Sequence, residues 1–378
     1  MFYRKFLYGF FNLMMLSVCA YSIKSRSEVN KQAITGVLFA EAYSRLPTDD
    51  IVLANRTDPL FSGESFGLDT QVLLGDRLRI VLQNIKHRDS RWAKVKLLDQ
   101  PTFKDGVWRP KVCFMASRAF YTGGSDWQSN AVVISLVASM FAKPSIEGLQ
   151  LGRLSMGTRI KTKREVSHGW VEVVLASGVM GCMRTVDIIE DEVLDRWSPA
   201  IKRDQLVSAA LRFNGSPYRW RCSSGFDDKS PALTGVDSSG LVYLAYRTIG
   251  LHVPRDAHDQ FLAASPIKFG RDLQRGDLIF IAKINAEKNI VHVHHVMIFA
   301  LPDSVIEATG LGVSTINDLE SKKQACTRVI SAIKHPCLKK SLKNFWHGQL
   351  NDRGELVFFG TFLGDKATYA QLTKGLLK

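Results

Sequence analysis

Two short stretches hold side chains whose types and spacing could do chemistry. In Gly235-Val236-Asp237-Ser238-Ser239-Gly240-Leu241, Asp237 suits a helix N-cap, because its carboxylate can accept the unpaired amides of a first turn. Ser238 then stands at a helix N-terminus, where partial positive charge favours a developing anion. That is an address for a nucleophile, and equally the ordinary first turn of a capped helix. In Val291-His292-Val293-His294-His295-Val296-Met297-Ile298-Phe299, strand alternation puts His292 and His294 on one face and His295 on the other, with Met297 and Phe299. His295 could serve as a general base or as a satisfied core histidine. Two strand histidines could also ligate zinc, but no third ligand stands at an informative spacing and there is no His-Glu-x-x-His helix, so no metal is expected.

These stretches need a helix and a sheet to hold them. Leu241, Leu244, Ala245 and Thr248 recur at helical spacing, and Gly250 closes that helix. Another helix is expected over 203–213, ahead of Asn214-Gly215-Ser216-Pro217-Tyr218-Arg219-Trp220. Leu273-Gln274-Arg275-Gly276-Asp277-Leu278-Ile279-Phe280 begins a run of strands. Helix first and antiparallel strands after it imply an α+β domain. Upstream, residues 28–128 and 129–195 read as two small β units in a degenerate repeat, each with a turn glycine before an alternating strand and a tryptophan opening the next. The first unit carries expected insertions at Ile85 to Ser90 and Lys104 to Arg109, and the stretch after residue 350 reads as a C-terminal extension, 351–378.

The 46% hydrophobic content of this 378-residue chain excludes disorder and leaves room for two or three cores. Fifty basic residues against 36 acidic ones give a net charge of +14, which favours polyanionic neighbours such as nucleic acid, anionic lipid or a bacterial wall. No aromatic-interleaved basic pattern, zinc-finger spacing or RNP-like strand supports nucleic-acid readout. The most one-sided stretch holds Lys322, Lys323, Arg328, Lys334, Lys339, Lys340 and Lys343, with no acidic residue between Ser321 and Leu350; it reads as a solvated basic face. At the N-terminus Arg4 and Lys5 precede an apolar run from Phe6 to Ala20, too short to span a membrane comfortably. Residues 1–22 read as an export signal cleaved after Ala20, with an uncleaved membrane anchor and lipidation at Cys19 as the alternatives. Export leaves five cysteines, an odd number without a CxxC pair; Cys326 and Cys337 are nearest in sequence and the candidate disulfide.

The ordered motifs Pro217-Tyr218-x-Trp220, Asp237-Ser238-Ser239-Gly240-Leu241, Pro254-Arg255-Asp256-Ala257 with Gln260, Leu273-x-x-Gly276-Asp277-Leu278-Ile279-Phe280, His295-Val296-Met297-Ile298-Phe299 and Ile306-Glu307-Ala308-Thr309-Gly310 resemble those of the NlpC/P60 peptidases. The β units before them resemble bacterial SH3 (SH3b) domains, and the whole is similar to the YkfC-like γ-D-glutamyl-L-diamino-acid endopeptidases. The resemblance implies a papain-like NlpC/P60 domain over 200–350 preceded by two small SH3b-like β-barrels. It implies peptidoglycan peptides or muropeptides as partners, no cofactor and no nucleic acid, and a place in the bacterial cell envelope or periplasm. It puts Ser238 at the nucleophile position, His295 at the general base and Glu307 at the residue that orients the base. Tyr218, Trp220, Ser239, Arg255 and Asp256 fall on substrate-binding positions, Asp256 at the residue that can meet a substrate's terminal amine.

Where this family carries a cysteine, the chain has Ser238. A thiol, with an ordinary pKa of about 8.5, ionises at a helix N-terminus beside an imidazolium; a serine hydroxyl must lose its proton to His295 during attack. The Gly-x-Ser-x-Gly elbow is absent, since Val236 stands at its first glycine. Cys222, in Trp220-Arg221-Cys222, reads as a structural thiol rather than a relocated nucleophile, because no capped helix follows it. The sequence therefore leaves two readings: a stem-peptide hydrolase weakened by its serine, or a pseudoenzyme that binds wall fragments without cleaving them.

Overall fold

A computed structural model of the chain describes residues 31–35, 39–46, 68–87, 89–122, 127–229, 234–285, 290–301, 303–310 and 326–364. The expected signal or anchor and Cys19 lie outside the described residues, as do Lys322 and Lys323. Among the described residues no helix is long and apolar enough to cross a membrane.

The described residues between 31 and 122 form a seven-stranded antiparallel sheet, with Leu78, Ile80, Val95, Leu97, Cys113 and Met115 in its core. Its longest hairpin pairs Ser90–Lys104 with Val107–Ala116. The turn is Asp105-Gly106, with φ of 52° and 78°, the left-handed pair that matches the twist of a two-residue hairpin. The described residues of the two stretches expected as insertions lie largely at the ends of long strands: Ile85 pairs with Trp92 and Lys104 with Val107. They alternate between exposed and half-buried positions, so no apolar period announces them as strands. A second seven-stranded antiparallel sheet spans 131–190, packed around Met140, Leu154, Ile160, Val171, Val173 and Met183.

The rest of the chain is a mixed α+β unit. Helix α1 (Asp191–Asp195) leads to α2 (Pro199–Leu211), which opens with Ser198 capping the Ile201 amide and Pro199 at its first position. Helices α3 (Ser238–Arg247) and α4 (Ala257–Ala263) follow. The sheet then forms from β1 (Leu278–Asn285), β2 (Ile290–Leu301), β3 (Ser304–Thr309), β4 (Cys326–Ser331) and β5 (Leu356–Thr361). Its order is Ser265–Pro266, β5, β1, β2, β3, β4. The stretch read as a C-terminal extension therefore supplies a central strand, with Phe280 opposite Phe358. Residues of β1, β2 and β3 alternate between two apolar layers. Phe280, Val296, Ile298 and Ile306 pack with Leu241, Leu244 and Ala245 of α3; Ile281, Met297 and Val305 pack with Cys337, Leu338, Leu342 and Phe345 of the segment behind the sheet.

Buried polar contacts pin the three units together. Arg247, at the end of α3, pairs with Asp76 of the first sheet at 2.8 Å, donates to the Gly157 carbonyl of the second at 2.9 Å and reaches Tyr243 Oη at 2.6 Å. It is 2% exposed, and isolating such a charge from its partner costs several kcal/mol. Gln71 of the first sheet accepts from the Ser223 amide and Ser224 Oγ, and Ser155 Oγ of the second accepts from the Gly225 amide. The loop before α3 is thus held from both sides. Cys326 and Cys337 are both free thiols, so the candidate disulfide is not formed; the two sit on different elements, Cys326 opening β4 and Cys337 buried behind the sheet.

Candidate active site

Helix α3 starts where the sequence places it. Asp237 caps it, its Oδ1 accepting the Gly240 amide at 2.7 Å, and the same carboxylate accepts from the Arg221 amide and, at 2.9 and 3.0 Å, from both Nη groups of Arg255. Arg255 also donates to Ser239 Oγ and to the Cys222 carbonyl. Gly240 is required here, since a Cβ would lie 2.3 Å from the Cys222 carbonyl oxygen. Arg255 and Ser239 therefore hold the helix start, and Gln260 adds to this by donating to the Ser239 and Pro254 carbonyls. Ser238 is buried in the first turn, and its hydroxyl forms no hydrogen bond among the described residues. Burial pushes the Cys222 thiol well up, with Glu41 and Asp237 adding to it, which is the behaviour of an inert structural thiol.

On the sheet, His295 lies opposite Ile281 in register, while Val293 lies opposite Ala282. His294 is the extra residue of a bulge, so the simple alternation expected through His292 and His294 is interrupted there. His295 nonetheless shares the face of Met297, as expected. His294 Nε2 lies 3.3 Å from Glu355, and His292 stacks near His258 with ring centres 5.2 Å apart. His295 Nε2 meets Glu307 Oε2 at 2.7 Å, leaving Nδ1 without a partner among the described residues.

Glu307 is fully buried. Its Oε1 accepts from Arg328 Nε and Nη2 at 3.0 and 2.9 Å, and its Oε2 accepts a second imidazole, His335 Nε2, at 3.1 Å. Burial alone would raise this carboxyl; the hydrogen bonds and charge of His295 and His335 outweigh it and hold Glu307 well below the usual carboxylate range. Neither His335 nor Arg328 stands out in the sequence. Arg328 is one basic residue in a basic stretch, and His335 follows Glu307 by 28 positions with no motif around it. Arg328 is brought to Glu307 by strand pairing, directly opposite it in register.

His295, Glu307 and His335 bring three ligand atoms within 4.8 Å of one another, the donor set of a metal site. The tautomer of His335 argues against that use. Its Nδ1 accepts the Cys337 amide at 3.1 Å, so its proton sits on Nε2, the atom that would have to offer a lone pair to a metal. Arg328 also occupies the other carboxylate oxygen. The cluster is a carboxylate clamped by three donors.

The helix start and the end of β3 are linked through Tyr218. Tyr218 bridges to Val236, just before α3, and its ring packs on Gly310, which follows β3. Burial, and after it Asp237, pushes the Tyr218 phenol well up, so it stays a protonated hydroxyl. Trp220 lies under the Arg221 guanidinium at 5.3 Å. Asp256 is tied to Lys111 of the first sheet at 2.5 Å and to Arg221 at 2.9 Å, and Lys111 also reaches Asp69 at 3.1 Å. Burial would raise the Asp256 carboxyl, but Lys111, Arg221 and Arg255 bring it down to about 2. Asp256 is therefore already paired with an ammonium group of this chain. The first sheet reaches the same wall again where the Phe103 amide donates to Asp259.

A hydroxyl in the first turn of a capped helix, a strand histidine and a buried carboxylate bonded to it are the residue types that a nucleophile–base–orienter hydrolase uses. Residues 215–346 match the NlpC/P60 family, and the chain carries an NlpC/P60 domain homologous to γ-D-glutamyl-L-lysine dipeptidyl-peptidases. It is 27% identical over 232 residues to the enzyme of that name from Bacillus cereus (strain ATCC 10987 / NRS 248), covering 60% of this chain and 63% of that one. To its namesake in Bacillus subtilis (strain 168) it is 24% identical over 274 residues, covering 68% and 79%. The chain thus spans slightly less than two thirds of the first relative's length. The structure of an NlpC/P60 family protein from Bacillus cereus ATCC 10987 superposes with a TM-score of 0.64 at 21% identity, over 88% of this chain and 100% of that one, which establishes the common fold.

Proposed function

We propose that the protein is a peptidoglycan stem-peptide hydrolase of the γ-D-glutamyl-L-diamino-acid endopeptidase type, exported to the cell envelope, with turnover limited by the serine at position 238. Ser238 acts as nucleophile, His295 as general base and Glu307 as orienter. The observation that carries this reading is the buried His295–Glu307 contact of 2.7 Å, which leaves the His295 Nδ1 lone pair without a partner among the described residues. During attack Nδ1 takes the Ser238 proton as oxygen bonds to the peptide carbonyl, and imidazolium returns it to the leaving amine; water then releases the acyl group by the same route. Glu307 stays ionised throughout and stabilises imidazolium. Tyr218, Trp220 and Asp256 line the wall, and the two N-terminal sheets are SH3b-like units, the first of which brings Lys111 to it.

The oxygen at position 238 supports a second reading, a pseudoenzyme that binds wall fragments without cutting them. One experiment separates the two. Wild type and Ser238→Cys are incubated with L-Ala-γ-D-Glu-diamino-acid peptides and cleavage is followed by mass spectrometry. The hydrolase reading expects slow cleavage by wild type, abolished by His295→Ala; cleavage by the cysteine protein alone establishes the pseudoenzyme, and cleavage by neither removes the substrate assignment.

A further inference from the structure

One buried titratable group at this site is unused by that mechanism. His335 is fully buried, yet it comes from outside the sheet, just after the short helical turn Ala332–Lys334 in the segment packed behind β1 and β2. A histidine placed there only to fill space would not need both ring nitrogens engaged. Here Nδ1 accepts the Cys337 amide and Nε2–H is aimed at Glu307 Oε2, the oxygen that also takes His295.

We propose that His335 is a positioning residue for His295, acting through Glu307; the proposal rests on the hydrolase reading above. The groups facing the Glu307 carboxylate are His295 from β2, Arg328 from β4 and His335 from the segment behind the sheet. Arg328 grips Oε1 in a two-point contact but leaves the carboxylate free to pivot about that side. The second donor on Oε2 removes this freedom and fills the space into which Oε2 would swing. With the carboxylate plane fixed, the His295 ring is held with its proton on Nε2 and its lone pair on Nδ1. The backbone anchor of Nδ1 in turn keeps the proton of His335 on the side that faces Glu307, so the tautomer of the outer ring sets that of the inner one. Basic segment and catalytic strand are thereby joined: the 332–346 stretch docks its apolar side on the sheet and delivers one imidazole through it.

Asparagine and glutamine divide the two functions of this ring. In His335→Asn the side chain can still accept the Cys337 amide but falls short of Glu307, whereas His335→Gln can reach it with an N–H donor. The first readout needs no turnover: solvent exchange of the His295 Nε2–H proton, followed as a downfield imidazole resonance by NMR. We expect exchange at least about tenfold faster in His335→Asn and within about twofold of wild type in His335→Gln, as for a donor lost and a donor retained. The second readout uses the Ser238→Cys protein. There the asparagine change lowers kcat about three- to tenfold with KM unchanged, and glutamine restores it. Unchanged exchange in His335→Asn, or equal acceleration in both variants, overturns the proposal. His335→Met carries the same expectation as asparagine should that variant not fold. If the Ser238→Cys protein cleaves no peptide, the hydrolase reading fails while the exchange measurement still decides the role of His335.

Discussion

On the sheet, three donors from three separate elements converge on the Glu307 carboxylate, and both its oxygens are occupied. At the start of α3 an equal density of polar contacts converges on Asp237 instead, from Gly240, Arg221 and Arg255, and the neighbouring Ser238 hydroxyl is left out of it. Both regions are buried and both are ordered around one carboxylate. In the first the ordering ends on a group that can move a proton; in the second it ends on the helix itself. The lesson is that the proposed base is fixed by side chains whereas the proposed nucleophile is fixed by backbone. The atom at position 238 can therefore change without disturbing what holds it.

The strongest test of that difference is Ser238→Cys, which should fold as wild type and raise cleavage of γ-D-glutamyl-diamino-acid peptides on the order of 10³-fold, read as kcat/KM. A cysteine protein no faster than wild type would show that the backbone does not place the nucleophile for His295. Next, Arg247→Met removes the anchor of the far end of α3 and leaves Asp76 buried without its cation. It should lower stability by about 3–5 kcal/mol in urea denaturation. A loss under 1 kcal/mol would mean that the helix is placed by apolar packing alone. On the sheet side, Glu307→Gln in the Ser238→Cys protein should reduce kcat about 10²-fold with little change in KM, because an amide can donate to His295 and reverse its tautomer. The smallest effect concerns pH. The Asp256 carboxyl is lowered from 3.8 to about 2, so the stability it contributes, about 2 kcal/mol, is present above pH 4 and is lost as the pH falls towards 2. Asp256→Asn should flatten the stability-against-pH curve in that window, measured by denaturant titration at successive pH values.

How much of this was legible in the sequence follows the same division. Asp237, Gly240 and the helix after them could be read, because capping and helical spacing are local. His295 and its face could be read from alternation, although the bulge at His294 could not, since a bulge depends on the partner strand. Glu307 was reached through the order of motifs rather than through its own surroundings. His335 and Arg328 stayed hidden because their role exists only after β3, β4 and the segment behind the sheet have assembled. The same holds for the strand Leu356–Thr361, read as part of an extension because its place beside β1 is set by a long return of the chain. Lys111 could not be foreseen at Asp256, as the two are 145 positions apart.

Arg247 has a further consequence for how the molecule must be handled. Its guanidinium closes on a carboxylate from the first sheet, a carbonyl from the second and a phenol of its own helix, so the three units share one keystone and should melt as a single cooperative block. A fragment beginning near residue 200 would retain Ser238, His295, Glu307 and His335 and still expose an unmatched cation at the end of its most buried helix. Dissecting this protein into domains would therefore test the keystone before it tested the chemistry.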